Sequence, residues 1–118
     1  MGAPSVGDIV LVPFPFSDLS GTKKRPALLL AEAGRDDWVC LQVTSQPYGD
    51  EAAILLTDKD FARGTLRRVS YLRPGKLFTA HRSLFVGNVA RVDAAKLAQA
   101  RESVIALIKR GAFQTIQE

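Results

Sequence analysis

Only one stretch of this chain carries a helical period, and it comes last. From Asp93 to Gly111, the residues Leu97, Ala100, Val104, Leu107 and Ile108 recur on one helix face, with Asp93 placed to cap the first free amides and Gly111 to end the run. Everything before it consists of short apolar runs broken at close intervals by glycine, proline and aspartate. Residues 8–13 read as a strand whose end Pro13 and Pro15 push to a sheet edge or out of the sheet. Residues 27–31 and 39–43 read as two further strands, joined through a tight turn at Gly34-Arg35-Asp36-Asp37. Residues 53–56, 66–73, 76–79 and 84–90 are the remaining candidates, with Pro74-Gly75 read as a turn and Thr57 to Phe61 as one capped helical turn. Helical patterns do not alternate with these strands, which argues against a parallel α/β fold. The expectation is a mainly β (α+β) domain, a strongly bent sheet or small barrel of about five to seven short strands, closed by one C-terminal helix.

At 118 residues the chain has room for one core, so residues 1–118 form a single domain. Apolar residues at 47% and charged ones at 24% are the balance of a folded globular protein. Cys40 is the single cysteine and lies inside a strand pattern, so no internal disulfide is possible and a buried thiol in a reducing cytoplasm is expected. No basic leader precedes an unbroken apolar run, and no run approaches the ~20 residues of a membrane span, so neither export by such a signal nor membrane insertion is expected. The net charge of +4 is unevenly placed: Arg63, Arg67, Arg68, Arg73, Lys76, Arg82 and Arg91 fall between Phe61 and Val92 with no carboxylate among them. That window carries +7 and leaves −3 for the rest, which favours an anionic partner such as nucleic acid or an acidic peptide.

Two stretches join strand formers to groups suited to a phosphodiester. Arg25 stands before Pro26, which biases it toward extended backbone and sets a guanidinium at the entrance of the second strand. The third strand runs out into Thr44, Ser45 and Gln46, three hydrogen-bonding side chains at its exit. If the two strands are antiparallel neighbours, Arg25 and Thr44 converge on one anion. The plainer alternative is that Arg25 forms a surface ion pair and Thr44 merely ends a strand.

The order Gly7-Asp8-Ile9-Val10, Lys24-Arg25-Pro26-Ala27-Leu28 and Gln42-Val43-Thr44-Ser45-Gln46 resembles the PemK/MazF family of toxin endoribonucleases from toxin–antitoxin pairs. The resemblance covers nearly the whole chain, and its specific part is the arginine-proline pair followed about twenty residues later by the threonine-serine pair. It implies an SH3-like barrel with a terminal helix, a homodimer that cuts single-stranded RNA without a metal or other cofactor, and an acidic antitoxin protein that covers the RNA groove. It also implies Arg25 and Thr44 as the catalytic residues. Some members carry an acidic residue where this chain reads Arg67-Arg68-Val69-Ser70, and here there is none.

Cleavage of RNA by its own 2′-hydroxyl requires a proton acceptor, stabilisation of a crowded phosphorane and a proton for the departing 5′-oxygen. Arg25 suits the second task, because a planar fork of donors matches phosphate oxygens. Thr44 adds a donor that needs no ionisation. His81 is the only imidazole, in a turn flanked by positive charge, and is a weak candidate for the base. Lys23, Lys24, Ser45, Gln46, Arg67, Arg68, Ser70, Arg73 and Lys76 are the expected RNA-binding residues, the arginines and Lys76 holding backbone phosphates. The loop from Ser17 to Lys24 would form a flap, and Phe14 or Phe16 could offer a face for a base, although both rings also fit a core. Two non-catalytic alternatives fit the same residues: a barrel toxin that acts by binding a protein such as a topoisomerase, and a nucleic-acid-binding regulator.

Overall fold

Seven strands and one helix follow the chain order in a computed structural model that describes residues 2–14 and 23–112. The strands are β1 (Asp8–Phe14), β2 (Lys23–Gly34), β3 (Asp37–Thr44), β4 (Ile54–Leu56), β5 (Phe61–Gly64), β6 (Ser70–His81) and β7 (Gly87–Val92), and the helix is α1 (Ala94–Arg110). One sheet holds all seven in the order β4-β6-β3-β2-β1-β7-β5, with every pairing antiparallel. Among the described residues no helix is long and apolar enough to cross a membrane.

The apolar patterning explains why this sheet curls. One core cluster gathers Ile54 and Leu56 of β4, Leu72 of β6, Leu28 and Leu41 from the middle strands, and Ala90 and Val92 of β7, with Phe61 of β5 packed against it. Strands at opposite ends of the order share that core, so the sheet bends into a half-barrel around it. Ala100 and Val104 of α1 enter the same cluster, and Arg101 donates from Nε and Nη2 to the carbonyl of Leu30 at 3.2 and 2.9 Å. The other face carries a second cluster of Val10, Val12, Ala27, Leu29, Trp38, Cys40 and Ala80. The middle strands are therefore buried on both faces, which is why residues 27–30 are an unbroken apolar run. Burial pushes the Cys40 thiol up to about 12.

The second hairpin turns as expected. Gly34 pairs with Asp37, and Arg35 and Asp36 between them both have positive φ, 53° and 65°, the form that matches strand twist. Asp93 accepts the Lys96 N–H at 2.8 Å and Gly111 ends α1 at φ 78°. At the entrance of β1 the fully buried Asp8 accepts from Ser5 N–H, Asn88 Nδ2 at 2.8 Å and Arg91 Nε at 2.7 Å. Burial pushes its carboxyl upward, but the bonds from Arg91, Ser5 and Asn88 together outweigh burial and hold it below the usual carboxylate range.

Four local expectations give way to tertiary context. Residues 65–69 are a loop rather than the start of a strand; Leu66 packs on the core while Arg67, Arg68 and Val69 are exposed. Pro74-Gly75 is not a turn, because β6 runs on to His81. Leu77 pairs with Leu41 and Arg73 with Gln42, so Pro74, Gly75 and Lys76 form a bulge where a proline need not donate to the ladder. β5 lacks any alternating pattern and exists because Gly64 lets it close on β7; a Cβ there would stand 2.5 Å from the Val89 carbonyl oxygen. On α1, Ile108 faces out and is 63% exposed, so the buried stripe is narrower than the sequence period implies.

Candidate functional site

Arg25 lies in β2 between its pairing with Val12 of β1 and the β3 edge. The β2–β3 register pairs Leu28 with Leu41 and Ala27 with Gln42. Carried two residues further, it sets Arg25 across from Thr44, on the face that carries Ala27 and Leu29. Opposed side chains on paired strands have Cβ atoms about 4.5–5.5 Å apart. Both residues line one hollow of about 240 Å³, together with Lys24, Ser45 and Ser70 and the wall formed by Leu66, Arg67 and Arg68.

The hollow has a simple electrostatic character. Lys24, Arg25, Arg67 and Arg68 line it, and no carboxylate does among the described residues. Arg67 and Arg68 belong to the 65–69 loop, which also walls a neighbouring hollow of about 660 Å³. Ser70 is buried and donates from Oγ to the Arg68 carbonyl at 2.9 Å, fixing the loop where β6 begins. At the exit of β3 the Thr44 hydroxyl accepts the Gln46 N–H at 3.0 Å and sits 3.3 Å from the Gln46 carbonyl oxygen as donor. The backbone thus fixes the position of the oxygen, while the longer donor bond leaves its proton easy to redirect toward an incoming anion.

The other expected residues fall in different places. Lys23 is exposed at the start of β2, opposite Phe14. Gln46 contributes its backbone to the Thr44 turn. Arg73 and Lys76 line a separate hollow of about 370 Å³, where Arg73 Nε donates to Asp50 Oδ2 at 2.9 Å and Nη1 to Gln42 Oε1 at 3.3 Å. His81 pairs with Asp37 at the far end of β3, seven residues from Thr44 and so roughly 23 Å along the strand. Its Nδ1 lies 2.9 Å from Ser83 Oγ. The flap at residues 17–22, Phe16 and the Phe14 side chain lie outside the described residues. Sequence reasoning missed Leu66 and Pro26 as lining residues; nothing local distinguishes Leu66 from a core leucine.

No protein-family model matches the sequence, and no curated protein matches it. Solved structures do. The chain is similar to MazF from Deinococcus radiodurans at 22% identity, over 92% of this chain and 99% of that one, with a TM-score of 0.71. A MazE–MazF complex from the same organism aligns at 22% identity over 90% and 96%, with a TM-score of 0.72.

The chain has the MazF fold.

A mycobacterial endoribonuclease in complex with its cognate antitoxin agrees, at 13% identity over 97% of this chain and all of that one, with a TM-score of 0.64. Identities this low establish the fold alone. Within the MazF fold, the hollow between the entrance of β2 and the exit of β3 is distinguished by cations from two segments, β2 and the 65–69 loop, meeting an oriented hydroxyl at the end of β3.

Proposed function

We propose that this protein is a toxin endoribonuclease that cleaves single-stranded RNA and is neutralised by an acidic antitoxin. The observation that carries this reading is the convergence of Arg25 and Thr44 on one cationic hollow. The MazF fold and the endoribonuclease and antitoxin complexes among its structural neighbours support it.

In this reading a phosphodiester enters the hollow and Arg25 forks onto its non-bridging oxygens. The RNA 2′-hydroxyl attacks phosphorus, its proton passing to solvent because Lys24, Arg67 and Arg68 favour the alkoxide. The new O2′–P bond gives a phosphorane whose added charge Arg25 and the Thr44 hydroxyl stabilise. The P–O5′ bond then breaks, the 5′-oxygen takes a proton from solvent, and the products are a 2′,3′-cyclic phosphate and a 5′-hydroxyl. The charge stabilisation comes from side chains of this chain, and solvent carries the protons. Lys23, Lys24, Ser45, Gln46, Arg67, Arg68 and Ser70 hold the flanking RNA. Lys76 extends the basic track, while Arg73, expected to join it, is engaged by Asp50 and Gln42. The same cations would draw in an acidic antitoxin segment, and a homodimer would present two such sites. The buried thiol of Cys40 is compatible with a cytoplasmic enzyme.

The test is incubation of the purified protein with single-stranded RNA in excess chelator, beside Arg25→Ala and Thr44→Ala. Wild type should cut and leave cyclic phosphate ends, and loss of the Arg25 donors should slow cutting about 10²–10³-fold. No product from wild type, or equal cutting by Arg25→Ala, overturns the assignment.

A further inference from the structure

Beyond the phosphate hollow, the chain displays an aromatic ring at an energetic disadvantage. Tyr48 is 81% exposed and has a φ of 53°, a left-handed conformation that a bulky side chain rarely adopts. Its neighbour Gly49, at φ 75°, shares the turn. Nothing about burial rewards a tyrosine there, yet the turn is firmly braced. The Asp50 N–H donates to the Pro47 carbonyl at 3.0 Å, and Asp50 accepts from Ala52 N–H at 3.0 Å and from Arg73 Nε at 2.9 Å. Arg73 in turn reaches Gln42 on β3. The turn has the same positive-φ form as Arg35-Asp36, but here it is braced from β3 and β6 and holds out a bulky ring that burial does not reward, which points to a functional reading.

Its location says which function. Tyr48 lines the hollow of about 370 Å³ that also contains Arg73, Lys76 and Arg110. Asp50 is engaged by Arg73, which leaves Glu51 as the remaining carboxylate beside Lys76 and Arg110. Ser45, which lines the phosphate hollow, is three residues away, so the two Cα atoms are no more than about 11 Å apart. An exposed ring beside flexible cations, next to a phosphate site, is the arrangement that binds single-stranded nucleic acid by stacking its bases.

We infer that Tyr48 is a stacking platform for a base flanking the scissile phosphate, with Lys76 and Arg110 holding the backbone beyond it. This rests on the nuclease reading, and it specifies the course of the RNA: from the Arg25 hollow, past Ser45 to Pro47, onto the Tyr48 turn. Because any base has a face to stack, the platform contributes affinity and positioning rather than sequence choice.

The experiment uses the full-length protein and a single-stranded RNA oligonucleotide spanning a cut site mapped with wild type. The oligonucleotide is 2′-deoxy at the scissile nucleotide and carries 2-aminopurine at each flanking position in turn. Wild type should quench the fluorophore at one flanking position. Tyr48→Ala and Tyr48→Gly should lose that quenching and bind about 5–150-fold more weakly, the range that one base–aromatic stack provides. Tyr48→Phe and Tyr48→Trp should keep both. Tyr48→Gly should melt no lower than wild type, since glycine accepts the positive φ, so lost binding would not reflect misfolding. Arg25→Ala should slow cutting of ordinary RNA about 10²–10³-fold yet retain the quenching. If Tyr48→Ala binds and quenches like wild type while wild type still cuts, the platform is refuted and the nuclease stands. If Tyr48→Ala leaves RNA affinity intact but changes the sedimentation coefficient, the turn is a protein interface and the inference falls. If wild type neither binds nor cuts RNA, both readings fall together.

Discussion

Arg25 and Thr44 differ in what each can tolerate. In the proposed reaction Arg25 presents two parallel donors to one phosphate, so a lysine keeps the charge but loses the fork. Arg25→Lys should therefore cut RNA far more slowly than wild type while binding it with similar affinity, measured as single-turnover rate against filter-binding affinity. In the same proposal Thr44 acts through its hydroxyl, whose oxygen is fixed by the Gln46 N–H. Thr44→Ser keeps that bond and should retain most activity. Thr44→Val, close in shape, removes it and should behave like Thr44→Ala. Away from the site, Asp8 makes the opposite kind of contribution, purely to stability. Its folded-state carboxyl is held below the usual range, so the unfolded chain takes up the proton first. Its stabilisation is complete above about pH 4 and disappears as pH falls through the lower folded value. Asp8→Asn should cost about 1.5–3 kcal/mol at neutral pH and flatten the acid limb of a pH–stability curve.

The elements that make the site were legible in the sequence because the signals for them are local. Pro26 keeps Arg25 extended and the Gly34 to Asp37 turn sets the β2–β3 hairpin. Counting from that turn alone would put residue 25 across from residue 46. Two register shifts, between Leu29 and Ala31 and between Glu32 and Gly34, move it across from residue 44, and no local residue signals them. The elements that were not legible depend on partners distant in the chain. Pro74-Gly75 has the composition of a turn, but β3 pairs with β6 on both sides of it and β4 pairs before it, so the chain bulges instead of reversing. Arg67 and Arg68 fall in a loop because Leu66 is drawn into the core and Ser70 is tied to the Arg68 carbonyl. β5 is a strand through one close approach: at Gly64, with φ 65°, an added Cβ would meet the Val89 carbonyl oxygen. Gly64→Ala should cost more than about 1 kcal/mol and lower the urea midpoint without changing the slope. The displayed ring of Tyr48 was invisible for a related reason, since neither its φ nor its bracing by Arg73 can be read from neighbouring residues.

At the scale of the molecule, charge placement is more telling than net charge. Of the cations between Phe61 and Val92, Arg63 and Arg91 face Asp8 and Arg73 faces Asp50, so part of that window serves the fold. Arg67 and Arg68 stand at the hollow itself. Replacing both with alanine should reduce the salt dependence of RNA affinity by about 1.4 in log–log slope, the share of two phosphate contacts on a single strand, while Arg82→Ala should leave it unchanged. The antiparallel β2–β3 pairing holds the entrance of β2 beside the exit of β3, and the proposed chemistry depends on both groups touching the same phosphate. The most direct measurement of that is a double-mutant cycle on the single-turnover cleavage of one RNA in chelator, using wild type, Arg25→Ala, Thr44→Ala and the double variant. The prediction is strong coupling, with the double variant losing much less than the product of the two single losses. Losses that simply multiply, or a single variant as fast as wild type, would contradict a shared phosphate.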